Sequence, residues 1–209
     1  MIDYRVYLVT DDPSRYRGNW LDNVRAAVEG GVTCVQYRDT ESAAKFQYER
    51  IRALRDAIGK TPIIVNNDAE LARAVLADGV HVGQGDMPPD EVRAIVGPKC
   101  EIGLSITAIK QVEHINRAVV DCIGIGPVFD ARKTKADASE AMGPDGLREI
   151  VRRVPDLPNC AIGGITLANA AEVTAAGAKG LAVVSAFSKS ENPYEVAKSF
   201  RLLFDNRRQ

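Results

Sequence analysis

The chain has 209 residues, of which 45% are hydrophobic and 26% charged, the balance of an ordinary soluble globular protein. Its formal net charge of −1 excludes a broad basic field for nucleic acid, so any anionic ligand has to be met by a local site. No apolar stretch approaches the ~18 residues of a membrane span, and the start shows no basic region followed by an apolar core and cleavage site. The expectation is therefore a cytoplasmic protein with neither nucleic-acid nor membrane partners.

In chain order, short apolar runs alternate with helical patterns. The first run, "RVYLVTD", precedes "WLDNVRAAVEGG", which spaces Leu21, Val24 and Val28 by three and four and closes on Gly30 and Gly31. "CVQYR" precedes "ESAAKFQYERIRALRDAIGK", which places Phe46, Ile51, Leu54 and Ile58 on about one face. "PIIVNN" precedes "DAELARAVLADG", with Asp68 as its cap, and "GVHVGQ" precedes "PPDEVRAIVG", with Pro88 and Pro89 in its first turn. "EIGLSI", "CIGIGPVF", "NCAIGGI" and "GLAVVSA" are followed by "AIKQVEHINRAV", "DGLREIVRRV", "LANAAEVTAAGA" and "NPYEVAKSFRLLF".

The strand runs lack clean two-residue alternation, as strands covered on both faces do. Eight strand–helix units of about 26 residues predict a (β/α)8 TIM barrel forming one domain over residues 1–209. The rival is an open doubly wound sheet, but "VTDDPSRYRG" after the first strand is not its Gly-rich turn. The four cysteines, Cys34, Cys100, Cys122 and Cys160, lie far apart and read as small buried hydrophobes. With His81 and His114 the only histidines, a zinc site is not expected.

Barrels of this kind place their chemistry at the C-terminal strand ends. There the chain carries Thr10 and Asp11, Gln36 and Arg38, Asn66 and Asn67, Gln84 and Asp86, and Ser105. A long polar loop holds Arg132, Lys133, Thr134 and Lys135; Gly163 and Gly164, then Val184, Ser185 and Ala186, complete the set. The converging cations suit phosphates, arginine as a planar fork and lysine as a point charge. The glycines after the seventh strand and the "VVSA" end of the eighth suit the recurrent backbone phosphate site of this architecture. Asp86, with an oxygen donor at 67, suits Mg²⁺ shared with a phosphate. One monophosphate and one more highly charged phosphate fit the joining of two phosphorylated molecules.

Structural roles compete with these readings. Arg38 can pair with Asp39 or Asp11, Asp86 can cap the helix at Pro88, and Asn66 can satisfy a turn. "RKTK" can be a solvated loop, and the glycines can serve close packing alone. His81 reads as a core histidine, His114 as an exposed helix residue and Trp20 as a packing residue.

The segments "YLVTD", "GGVTCVQYRD", "NNDAELARAVLADGVHVGQGDM", "GLS", "IGIGPVF…TKADA" and "AIGGI…NAAEVTAAGAKGLAVVSA" together resemble the thiamine phosphate synthase family, from first strand to last helix. The resemblance implies a transferase that condenses hydroxymethylpyrimidine diphosphate with hydroxyethylthiazole phosphate, releasing pyrophosphate, with Mg²⁺ as cofactor. It implies Gln36, Arg38, Thr40, Asn66, Ser105 and Lys135 at the pyrimidine diphosphate, with Arg38, Lys135 and Ser105 as the catalytic set. It places Arg132, Thr134, Gly164, Val184 and Ser185 at the thiazole phosphate, and Asp86 and Asn67 at the metal. Two positions depart from the family: Thr40 stands for a lysine and Asn67 for a metal-binding aspartate. The alternatives are an isomerase like the related thiazole tautomerases, and a non-catalytic paralogue that binds a thiazole or thiamine phosphate. A homo-oligomer is left open.

Overall fold

A computed structural model describes residues 1–132 and 139–205. Eight parallel strands pair in sequence order: β1 (Val6–Val9), β2 (Cys34–Tyr37), β3 (Ile63–Asn66), β4 (Gly79–Val82), β5 (Glu101–Ile106), β6 (Cys122–Ile125), β7 (Asn159–Ile162) and β8 (Leu181–Val183). Because β8 pairs back onto β1, the sheet is a closed barrel, which rules out the open doubly wound alternative. The helices are α1 (Trp20–Glu29), α2 (Ala44–Ile58), α3 (Ala69–Ala74), α4 (Pro89–Val96), α5 (Gly143–Arg153), α6 (Ala170–Ala175), α7 (Ser185–Ser188) and α8 (Pro193–Asp205). No helix among the described residues is long and apolar enough to cross a membrane.

The missing two-residue alternation has a visible cause. Along β1, Tyr7 and Val9 point into the barrel while Val6 and Leu8 pack under the helices. Both faces are apolar, so the pattern carries no polarity signal. The barrel interior holds Tyr4, Tyr7, Val9, Cys34, Ile64, Cys122, Cys160 and Ala182. Cys100 joins the outer core, and all four cysteines are buried and free, as expected. Burial pushes the Cys100 thiol up to about 11, so it behaves as a hydrophobe.

At the N-terminal face one device occurs twice. Asp78, just before β4, accepts the N–H of Ile63 at the start of β3 (2.8 Å) and pairs with Arg55 of α2. Asp121, just before β6, accepts the N–H of Ile102 in β5 (2.8 Å) and pairs with Arg93 of α4 (2.7 Å). Each carboxylate thus ties two strands and a helix together. Closure itself depends on Gly180: a Cβ there would stand 2.0 Å from the Tyr4 carbonyl oxygen.

Asn19 caps α1 through the N–H of Leu21 (2.9 Å), and Asp68 caps α3 through that of Leu71 (2.8 Å). Three details differ from the sequence expectation. The segment after β5 forms a 3₁₀ helix, Ile109–His114, in place of an α-helix. There the Gln111 side chain accepts the N–H groups of Thr107 and Ala108, and only Val112 is buried, too little apolar face to hold a longer helix. Phe46 is exposed while Ile51, Leu54 and Ile58 are buried, because it lies roughly 140° around α2 from Ile51. The short helix α7 and a 3₁₀ turn at Pro13–Arg15 carry too little periodicity to be read from sequence.

Candidate active site

The C-terminal ends of the strands bring several of the expected polar residues onto one rim. Gln36 is buried near the end of β2, and its amide donates to the Tyr7 hydroxyl at 2.6 Å. One residue pair further along, the Thr10 hydroxyl accepts the N–H of Arg38 (2.8 Å) and donates to the Arg38 carbonyl (3.3 Å). This clamp fixes the backbone from which the Arg38 side chain leaves.

The two carboxylates that could neutralise Arg38 are engaged elsewhere. Asp39 takes Arg50 (2.7 Å), the Tyr37 hydroxyl (2.9 Å) and the N–H groups of Glu41 and Ser42. Burial alone would raise its pKa, but these donors prevail and hold it down to about 2. Asp11 takes Arg15 (3.2 Å), the Ser188 hydroxyl (3.2 Å) and the N–H of Asp12. Among the described residues the Arg38 guanidinium has no ion-pair partner, so it stands available to an anion. Thr40 is exposed in the β2–α2 loop.

Asn66 ends β3 and pairs in register with His81 of β4. The next residue, Asn67, adopts φ +63, a left-handed conformation that asparagine tolerates better than most side chains. Its N–H donates to the His81 carbonyl (2.9 Å), and its side-chain amide donates to Asp86 Oδ1 at 3.2 Å. The other Asp86 oxygen accepts the N–H of Gly83 at 2.6 Å. Asp86 does not cap α4, because Pro88 occupies that position.

Ser105, near the end of β5, faces His81: Nε2 and Oγ are 3.0 Å apart. Gln84 donates to the Ser105 carbonyl (2.7 Å). The imidazole fills space left by two glycines. A Cβ at Gly103 would stand 2.3 Å from the ring, and one at Gly124 2.9 Å. Burial pushes the His81 pKa down to about 4, partly offset by Asp86, so the ring is neutral at neutral pH. His81 is the satisfied core histidine expected from its strand position, its ring nitrogen partnered by Ser105. The usable sequence signal was Gly103 and Gly124 inside two apolar strands.

Arg132 is exposed and pairs with Asp130 at 3.0 Å. Lys133, Thr134 and Lys135 lie outside the described residues. Gly163 and Gly164 have φ +100 and +64. A Cβ at the first would stand 2.5 Å from Pro127 and at the second 2.7 Å from Phe129, while the Phe129 N–H donates to the Gly163 carbonyl (3.0 Å). Close packing under the β6 loop therefore accounts for both glycines by itself. Val184 and Ser185, half-buried, lead from β8 into α7.

As chemistry, the rim offers an uncommitted guanidinium, one carboxylate flanked by an amide, and a neutral hydroxyl–imidazole pair. Among the described residues no group of three or more His, Cys, Asp and Glu side chains can hold a metal ion. Any divalent cation would lean on Asp86 and draw further oxygens from its ligand.

Residues 6–187 match the family model described as thiamine monophosphate synthase. The chain is 40% identical to the thiamine-phosphate synthase of Albidiferax ferrireducens over 203 residues, 96% of this chain and 92% of that one. It is also 40% identical to the thiamine-phosphate synthase of Chloroflexus aurantiacus over 205 residues, 97% and 94%. Among solved structures, the thiamine phosphate pyrophosphorylase of Pyrococcus furiosus superposes with a TM-score of 0.86 at 30% identity, covering 98% of this chain and 96% of that one.

Proposed function

The chain belongs to the thiamine monophosphate synthase family, and from that premise we propose how its own residues carry the reaction. It is a transferase that condenses a pyrimidine with a thiazole to give thiamine phosphate. The substrates proposed are hydroxymethylpyrimidine diphosphate and hydroxyethylthiazole phosphate, with pyrophosphate released. The observation that carries the site assignment is the uncommitted Arg38 guanidinium on the same rim as Asp86 and Ser105.

In this reading Arg38 grips the diphosphate as a planar fork, and Lys135 adds a second positive charge. Gln36, Asn66 and Ser105 orient the aminopyrimidine, and Thr40 lies at the edge of the diphosphate. Electron donation from the pyrimidine amine lets the carbon–oxygen bond to diphosphate break first. The thiazole nitrogen then attacks the resulting benzyl-like cation with its own lone pair, so no general base is required. The protein's contribution is alignment and stabilisation of the departing charge. Arg132, Thr134 and the backbone at Gly164, Val184 and Ser185 hold the thiazole phosphate.

The donor set fits Mg²⁺. Asp86 would supply one hard oxygen ligand, the Asn67 side chain, whose nitrogen faces Asp86, would offer its oxygen on turning over, and few protein ligands are needed when a diphosphate supplies others. When bound, the ion would neutralise charge on the leaving diphosphate. The neutrality of His81 leaves Ser105 beside an imidazole that places no extra positive charge against the pyrimidine cation.

The test is incubation of the pure protein with both substrates and Mg²⁺, following thiamine phosphate and pyrophosphate. Product in equal amounts is expected; none at any Mg²⁺ concentration overturns the reading.

A further inference from the structure

Both oxygens of Asp86 already accept an N–H in the structure. Oδ2 takes the Gly83 backbone at 2.6 Å, and Oδ1 takes the Asn67 amide at 3.2 Å. A carboxylate only accepts, so the Asn67 nitrogen must face Asp86, whatever the difficulty of telling amide nitrogen from oxygen. Two side chains that would repel each other as a pair of carboxylates are joined here by an internal donor. Backbone geometry supports the arrangement: Asn67 sits at φ +63 with its own N–H bonded to the His81 carbonyl, which fixes the direction of the side chain.

We propose that the Asn67 amide takes the place of a cation between positions 67 and 86, so that the free site is complete without metal and divalent cation enters only together with the diphosphate. This rests on the diphosphate reading above and concerns how this chain loads its site. A single carboxylate with one neutral amide oxygen offers Mg²⁺ little against its own hydration shell. The diphosphate adds several anionic oxygens, and Arg38 holds that diphosphate independently of any metal. Replacing Asn67 with aspartate would put two carboxylates at hydrogen-bond distance with no donor between them. That destabilises the free protein and creates a demand for a cation.

Mn²⁺ as the probe, counted as the metal retained with the protein on ultrafiltration after subtracting a protein-free control with the same pyrophosphate, tests this without measuring turnover. Native protein is expected to retain no Mn²⁺ at millimolar concentration alone, and to retain about one equivalent once pyrophosphate is added. Asn67→Asp, which keeps a residue tolerant of left-handed φ, is expected to bind Mn²⁺ alone at least roughly tenfold more tightly. Its melting temperature should fall below the native value without divalent ions and rise by several degrees with them, while the native melting temperature stays unmoved by Mg²⁺ alone. Asp86→Asn is expected to retain no Mn²⁺ with or without pyrophosphate. Native protein that binds Mn²⁺ alone as tightly as Asn67→Asp, or an Asn67→Asp melting temperature indifferent to divalent ions, overturns the proposal. Calorimetry with pyrophosphate separates the two levels: if pyrophosphate binds neither with divalent metal nor without it, the diphosphate reading itself fails, and the proposal with it.

Discussion

At the scale of single residues, availability distinguishes Arg38. Its neighbours Asp11 and Asp39 are occupied by Arg15, Ser188 and Arg50, so its charge is left for a ligand. Arg38→Ala is expected to lower kcat/KM for the pyrimidine diphosphate by roughly 10²–10³-fold, and Arg38→Lys to restore only part, because a point charge cannot replace the fork. Thr40→Lys, at an exposed position of the β2–α2 loop, should lower the KM for the diphosphate by up to roughly fivefold, measured at low ionic strength. His81 sets a pH dependence. Its ring binds a proton less readily when folded (about 4) than when unfolded (6.5), so the unfolded state protonates first as pH falls. The stability tied to this group is fully present above about pH 6.5 and lost as pH falls through about 4, up to roughly 3 kcal/mol. Denaturant melts from pH 7 to pH 4 should show this fall in the native protein and a shallower one in His81→Gln.

At the scale of elements, neighbouring strands are matched side chain to gap. His81 of β4 occupies space that Gly103 of β5 and Gly124 of β6 leave open, and the Ser105 contact depends on that fit. Gly103→Ala should cost roughly 1–3 kcal/mol in stability, and the double change with His81→Ala should recover much of it, a coupling measurable in a double-mutant cycle. Such matching explains what the sequence could and could not reveal. The strands were legible because runs such as "PIIVNN" and "CIGIGPVF" are apolar on both faces and short, and their number and spacing pointed to a closed barrel. The segment around Val112 misled because its apolar residues are spaced like a helix, while Gln111 turns back onto Thr107 and Ala108 and stops one from extending. Within the site, residue types at strand ends indicated Gln36, Arg38 and Asp86. The Asn67–Asp86 bond joins the ends of two strands with no footprint in local sequence, and the His81–Ser105 pairing left only the indirect mark of Gly103 and Gly124. Arg38 had two plausible acidic partners in sequence, and only the three-dimensional arrangement shows both committed elsewhere.

At the scale of the whole molecule, the two faces of the barrel are built differently. The N-terminal face is tied by the Asp78 and Asp121 devices, each joining two strands and a helix, whereas the C-terminal face leaves Arg38 uncommitted. Changes at Asp78 or Asp121 should therefore lower stability with little effect on KM, a split visible by comparing melts with saturation kinetics. Asp121→Ala should cost roughly 1–3 kcal/mol, since it strands the Ile102 N–H and leaves Arg93 without its carboxylate. Closure is the most demanding feature: at Gly180 the backbone passes so near Tyr4 that no side chain fits, and Leu181 donates to the Arg5 carbonyl at 3.1 Å. Gly180→Ala should open that seam and cost at least as much as Gly103→Ala. The seam also sets a clock on synthesis. β1 leaves the ribosome well before its second partner, β8, so until β8 is made the sheet has two raw edges able to pair with other chains. A nascent chain that stops short of residue 180 would keep those edges for good, and it should accumulate in the insoluble fraction while a chain that includes β8 does not.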